Sequence, residues 1–161
     1  MISLERRLAV EDLLHAYVHC IDEDRLEEWP GFFAAECEYR IVPRENADQE
    51  LPIPLMSCDS QGMLSDRVTA HRRANIFGPH FYRHLVSSIL LTEQADGLIA
   101  ARSNYVVFRT WADVVQYGAT EVFSTGAYHD RIVFEDSSPK FRQRLVLVDT
   151  CRIDSLLVTP L

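Results

Sequence analysis

The stretch HLVSSILLTEQADGLIAARSNYVVFRTW, residues 84–111, decides the fold. Two β-rich runs, 84–92 and 98–111, flank Asp96-Gly97, a dipeptide suited to a tight hairpin turn. Further along, 117–134 and 141–150 read as strands on either side of Asp136-Ser137-Ser138-Pro139-Lys140, and 153–158 as a last strand. Upstream the period changes. Leu14, Tyr17, Val18 and Ile21 fall at i, i+3, i+4 and i+7 and predict an amphipathic helix over 3–21. Leu4 and Leu8 extend its stripe, and Ser3 is the expected N-cap. A short helix over 24–34 turns Trp29, Phe32 and Phe33 inward, with Pro30 near its start or at a kink. Residues 36–42 alternate as a strand. A long polar loop over 43–61, with room for an edge strand at 52–56, is expected to be functional or interface-forming. A helix over 63–75 follows, with Ser65 or Asp66 as cap and Val68 inward. Helices first and long strands afterwards define an α+β chain. The expected architecture is a single domain, 1–161, in which a curled, mostly antiparallel sheet wraps the N-terminal helices as a cone.

Composition narrows the function. The chain has 161 residues, 47% of them hydrophobic and 25% charged, an ordinary globular mixture that needs no metal or disulfide for a core. Its net charge is −8, concentrated in residues 1–60, where 14 acidic side chains face 5 basic ones. Such a chain is poorly suited to neutralising phosphates, so nucleic acid is not an expected partner. No apolar run reaches a membrane-spanning length and the N-terminus lacks an apolar signal segment, so a soluble, cytoplasmic chain is expected. Cys20, Cys37, Cys58 and Cys151 form no Cys-x-x-Cys pair and read as reduced, mostly buried thiols. All basic residues but Lys140 are Arg, the side chain suited to bidentate ion pairs at interfaces.

The candidates for chemistry are few. His15 and His19 share a helix face like two arms of a metal site, but Ala16 stands where a zinc protease motif needs Glu. They read as a partly buried, hydrogen-bonded pair. Phe81-Tyr82-Arg83-His84, preceded by His80, is the densest polar-aromatic cluster. On a strand Tyr82 and His84 share one face and Arg83 takes the other. Inside a cone, His84 would pair with a helix carboxylate such as Asp22, an acid–base dyad; the competing reading gives His84 and Arg83 structural or interface hydrogen bonds. Asp130-Arg131 and Arg142-Gln143-Arg144 would pair across adjacent strands as solvated ion pairs, contributing about 0–1 kcal/mol each. Arg67, after Asp66, reads as a helix start or an interface residue. Neither a Gly-x-Gly-x-x-Gly or Walker loop nor a Gly-x-Ser-x-Gly elbow is present.

Together these segments resemble the small (β) subunit of aromatic-ring-hydroxylating oxygenases. The resemblance runs through Asp22…Trp29-Pro-Gly-Phe-Phe33, Cys37-Glu-Tyr39-Arg-Ile and Asp59-Ser-Gln-Gly-Met-Leu-Ser-Asp-Arg67-Val. It continues in Tyr82-Arg83-His84-Leu85, Ser124-Thr-Gly-Ala-Tyr128-His-Asp130, Arg142-Gln-Arg144-Leu-Val-Leu-Val-Asp149 and Asp154-Ser-Leu-Leu-Val-Thr-Pro-Leu161. It covers nearly the whole chain and is strongest to subunits of the terephthalate, anthranilate and salicylate 5-hydroxylase kind. Ser87-Ser88 stand where many members carry Asn, a departure that bears on the substrate branch. The resemblance implies a nuclear-transport-factor-2-like cone and a non-catalytic, trimer-forming subunit in an α3β3 assembly. It places the Rieske [2Fe–2S] cluster and the mononuclear iron in the large subunit, with electrons from NAD(P)H through a reductase, and no metal in this chain. For subunit contact the expected residues are Arg67, Tyr82, Arg83, His84, Asp130 and Arg144, with the loop 43–61. The alternative is a free-standing dehydratase or isomerase of the same cone, using the Asp22–His84 dyad.

Overall fold

The computed structural model describes residues 2–49, 51, 53–149 and 157–161. The first helix, α1, spans Leu4–Asp22. The Ser3 hydroxyl accepts from the Arg6 N–H at 3.3 Å, which satisfies one of the four free donors at the helix start. Its buried stripe begins at Val10 and runs through Leu14, Tyr17, Val18 and Ile21. Leu4 and Leu8, expected to extend that stripe, are exposed, because at about 100° per residue they fall to one side of the face that Val10, Leu14, Tyr17 and Ile21 share.

A 3-10 helix, Leu26–Phe32, follows in place of the expected second α-helix. Pro30, which lacks an N–H and fixes its own φ, sits inside it and prevents a regular α-helix. Trp29 and Phe33 turn fully inward, and Trp29 meets the rings of Phe33 and Tyr39 edge-on. Strand β1, Phe33–Pro43, leads into a single-turn helix α2, Arg44–Asp48, and a short strand β2, Met56–Cys58. Within 43–61 the described residues therefore make pairings of their own. Leu55 N–H donates to the Ile41 carbonyl, and the Asn46 amide donates to the Ile53 carbonyl.

Helix α3, Gln61–Arg73, starts earlier than expected and is capped by Ser60, whose hydroxyl accepts from the Met63 N–H. Leu64, Val68 and His71 are its buried residues.

Four long strands complete the sheet: β3 (His80–Glu93), β4 (Ile99–Trp111), β5 (Thr120–Glu135) and β6 (Ser138–Val148). The strand order is β2-β1-β6-β5-β4-β3, antiparallel except for the β1–β6 pair. The β3–β4 hairpin turns at Gly97, whose φ of 84° is readily reached by a residue without Cβ. The β5–β6 turn is tighter than the five-residue connection expected. Glu135 pairs with Ser138, so Asp136 and Ser137, both at positive φ, form the whole turn. A two-residue turn of that hand matches the right-handed strand twist.

The expected last strand, 153–158, falls mostly outside the described residues. Beyond them, Val158 to Leu161 lie buried. The backbone of Leu161 is held by two tyrosines: Tyr17 Oη donates to its carbonyl at 2.9 Å, and its N–H donates to Tyr39 Oη at 2.9 Å.

Candidate functional site

In a sheet, directly paired residues share a face, so the register separates an interior surface from an exterior one. The interior takes Tyr82 and His84 of β3, Val107 and Tyr105 of β4, Tyr128 and Asp130 of β5, and Arg144 and Val146 of β6. All of these are buried. The exterior takes Phe81, Arg83 and Leu85 of β3, paired with Thr110, Phe108 and Val106. Val122 of β5, and Leu145 and Leu147 of β6, continue that surface.

Two polar pairs occupy the interior. Asp130 and Arg144 are direct partners in the β5–β6 register. Arg144 Nε donates to Asp130 Oδ1 at 3.0 Å and Nη2 donates to Oδ2 at 3.1 Å. The guanidinium lies over the rings of Tyr17, Tyr128 and Phe141, all within 4.2 Å of their centroids. The solvated pair expected from the sequence is thus corrected to a sealed one, with side-chain exposures of 0% and 1%. Burial pushes the Asp130 carboxyl up, to about 6, with the Arg144 charge opposing that rise. Both side chains face the core, not the surface.

The second pair is Asp22 with His84. His84 Nδ1 donates to Asp22 Oδ1 at 2.5 Å, and the His84 backbone N–H donates to Oδ2 at 2.8 Å. The last residue of α1 is thereby fastened to β3, and the imidazole tautomer is fixed with its proton on Nδ1. The remaining nitrogen, Nε2, is buried and has no hydrogen-bond partner among the described residues. A proton-transfer role needs that atom within reach of a substrate, and it is closed off.

Of the residues expected at a surface, Arg83 is exposed on the sheet exterior and Arg67 is half-buried on α3. Arg67 lies against Cys58 and opposes the rise that burial imposes on that thiol. Tyr82 and His84, like Asp130 and Arg144, are interior. Cys20, Cys37 and Cys58 are free and buried, while Cys151 lies outside the described residues. His15 and His19 are exposed, not partly buried, because they fall on the face of α1 opposite its stripe. No group of three or more His, Cys, Asp or Glu among the described residues is arranged to hold a metal ion. The described donor set therefore does not fit a Rieske cluster or a mononuclear iron.

Sequence reasoning missed one cluster. Arg109, paired with Tyr82 on the interior face, donates to Glu121 at 2.5 and 2.9 Å and stacks over Trp111 and Phe123. The signal was an Arg in the inward alternation of β4, two residues from an aromatic on its own strand.

A curled α+β cone with a packed polar-aromatic interior and a partly apolar exterior defines the class of the molecule. The family model described as ring hydroxylating beta subunit matches residues 17–155. The small subunit of anthranilate 1,2-dioxygenase from Burkholderia cepacia is 41% identical over 149 residues, covering 92% of this chain and 90% of the relative. Subunit beta 2 of the terminal oxygenase component of terephthalate 1,2-dioxygenase from Comamonas sp. is 34% identical, covering 91% and 92%. A crystal structure described as the beta subunit of an aromatic-ring-hydroxylating dioxygenase from Novosphingobium aromaticivorans superposes with a TM-score of 0.82 at 40% identity, covering 94% and 93%. The chain belongs to the ring-hydroxylating β-subunit family and is the small subunit of an aromatic-ring-hydroxylating dioxygenase.

Proposed function

We propose that this chain is the non-catalytic assembly subunit of an α3β3 oxygenase that hydroxylates an aromatic carboxylate of the anthranilate, terephthalate or salicylate class. The sheet exterior carries the proposal. Phe81, Leu85 and Val122 are each more than half exposed there, around the guanidinium of Arg83. Exposed apolar clusters on a soluble domain mark protein contacts, and aromatic and Arg side chains supply most of the energy at such contacts. The buried pairs act behind this surface: Asp22–His84 and Asp130–Arg144 fix the strands that present it. Arg67 and the segment 43–61 form a second contact region at the β2 edge.

The substrate class rests on the relatives, which are named for anthranilate and terephthalate, both aromatic carboxylates. The Rieske [2Fe–2S] cluster and the mononuclear iron are assigned to the large subunit, where they supply electron transfer and oxygen chemistry with NAD(P)H as the electron source. This chain's own residues position that subunit and hold no metal.

Arg83→Ala tests the contact. In co-expression with a cognate Rieske-type large subunit, the variant is expected to weaken association about tenfold or more. Its own unfolding free energy should change by about 0.5 kcal/mol or less, as is typical of an exposed site. Full recovery of the large subunit with Arg83→Ala would remove this residue from the interface.

A further inference from the structure

We propose that the cavity between the end of α1, the end of α3 and the start of β3 is a binding site for a small uncharged aromatic molecule bearing a hydroxyl group, a phenol by class. The inference does not rest on the assembly role, although Phe81 lines the cavity and also belongs to the proposed contact surface. The cavity holds about 230 Å³, below the roughly 300–1,000 Å³ of drug-sized sites and suited to a single ring. Ile21, Phe77, Pro79, Tyr82 and Ala112 supply its apolar walls.

Two polar atoms give it direction. His80 Nδ1 donates to the Gly78 carbonyl at 2.7 Å, which fixes the tautomer and leaves Nε2 as an acceptor. Burial holds the His80 pKa below its usual value, so the ring is neutral at pH 7.5. The Tyr82 ring packs against His80 at 4.7 Å between centroids and stacks on Phe123 at 5.1 Å, which fixes its orientation. Neither His80 Nε2 nor Tyr82 Oη has a hydrogen-bond partner among the described residues, and neither is among the buried atoms left without one. A phenolic O–H donating to Nε2, with its oxygen accepting from Tyr82, satisfies both.

The charges in the wall select against an acid. Asp22 and Asp24 both line the cavity. The cation beside them, Arg72, is already held by Asp24 and by Glu27, each at 2.8 Å. A benzoate would meet these two carboxylates, and the nearby guanidiniums are both already engaged, Arg72 as above and Arg109 by Glu121 at 2.9 Å. The site also binds without turnover. Both oxygens of Asp22 are occupied by His84, and His84 Nε2 is sealed away from the cavity.

Titration of phenol into the isotopically labelled chain, followed by NMR, tests the site. The expected result is saturable shifts centred on residues 77–82, with benzoate binding at least about tenfold more weakly. Tyr82→Phe keeps the ring and its packing, and His80→Phe keeps an aromatic in the wall. Each should weaken phenol about five- to tenfold, the value of one hydrogen bond. Absence of saturable shifts up to about 10 mM phenol, a limit corresponding to about −3 kcal/mol, would overturn the proposal. Benzoate binding as tightly as phenol, or unchanged phenol affinity in both variants, would overturn it equally.

Discussion

Arg144→Met lowers the stability of the chain by about 3–5 kcal/mol, the usual cost of leaving one partner of a buried ion pair behind. Asp130 would lose both of its guanidinium hydrogen bonds while its side chain remains sealed from solvent, at 1% exposure. At about 2–4 °C per kcal/mol for a domain of this size, the melting temperature falls by roughly 10 °C. Restoring an apolar partner should reverse much of this. The double variant Asp130→Leu/Arg144→Met is expected to melt well above the single variant, because well-packed apolar replacements of a buried pair are often neutral. A single variant within about 1 kcal/mol of the unmodified chain in urea unfolding would contradict the sealed geometry.

Gly126→Ala is expected to be as damaging, through sterics alone. A Cβ at Gly126 would lie 1.9 Å from the Leu147 carbonyl oxygen and 3.0 Å from Tyr105 Cε1. The first of these is backbone in the adjacent strand, which cannot swing aside as a side chain does. Strand β5 must then part from β6 at the Gly126–Val148 pairing, four positions along the register from the one that aligns Asp130 with Arg144. A loss of about 4 kcal/mol or more, or failure to accumulate as soluble chain, is expected. Gly31→Ala is the control. Nothing lies within 4 Å of a Cβ there, and the change should stay within about 0.5 kcal/mol. Equal stability of the two variants would show that the β5–β6 contact is looser than described.

The division of the chain into early helices and late strands was legible because the hydrophobic period switches from 3.6 to 2 in front of residue 84. The Asp22–His84 contact was also within reach. Alternation puts His84 inward beside Tyr82, and an inward imidazole near the end of a helix meets a carboxylate there. The burial of Asp130 and Arg144 was not legible. Two charges on adjacent strands pair equally well inside or outside, and only the phase of the pleat distinguishes them. That phase was in fact carried by their neighbours, since Tyr128, Asp130 and Ile132 alternate on the same face of β5. Nor could one sequence place the far partners of the C-terminal residues. His71 meets Thr159, and Tyr17 and Tyr39 meet Leu161, across separations of 88 to 144 residues that no local pattern encodes. Cap positions slipped for a local reason: Ser60, Ser65 and Asp66 all suit an N-cap, and Ser60 alone has the extended backbone that lets its hydroxyl reach the Met63 N–H.

The central claim, that this chain serves as an assembly subunit, is tested most directly by the mass of the complex formed with a cognate Rieske-type large subunit. Three copies of an 18.5 kDa chain make about 55 kDa, the expected contribution to a closed threefold assembly. Light scattering on the co-purified material should show a single species with equal numbers of both chains and three of each. A large subunit that assembles and turns over an aromatic carboxylate at full rate while this chain elutes separately would contradict the account.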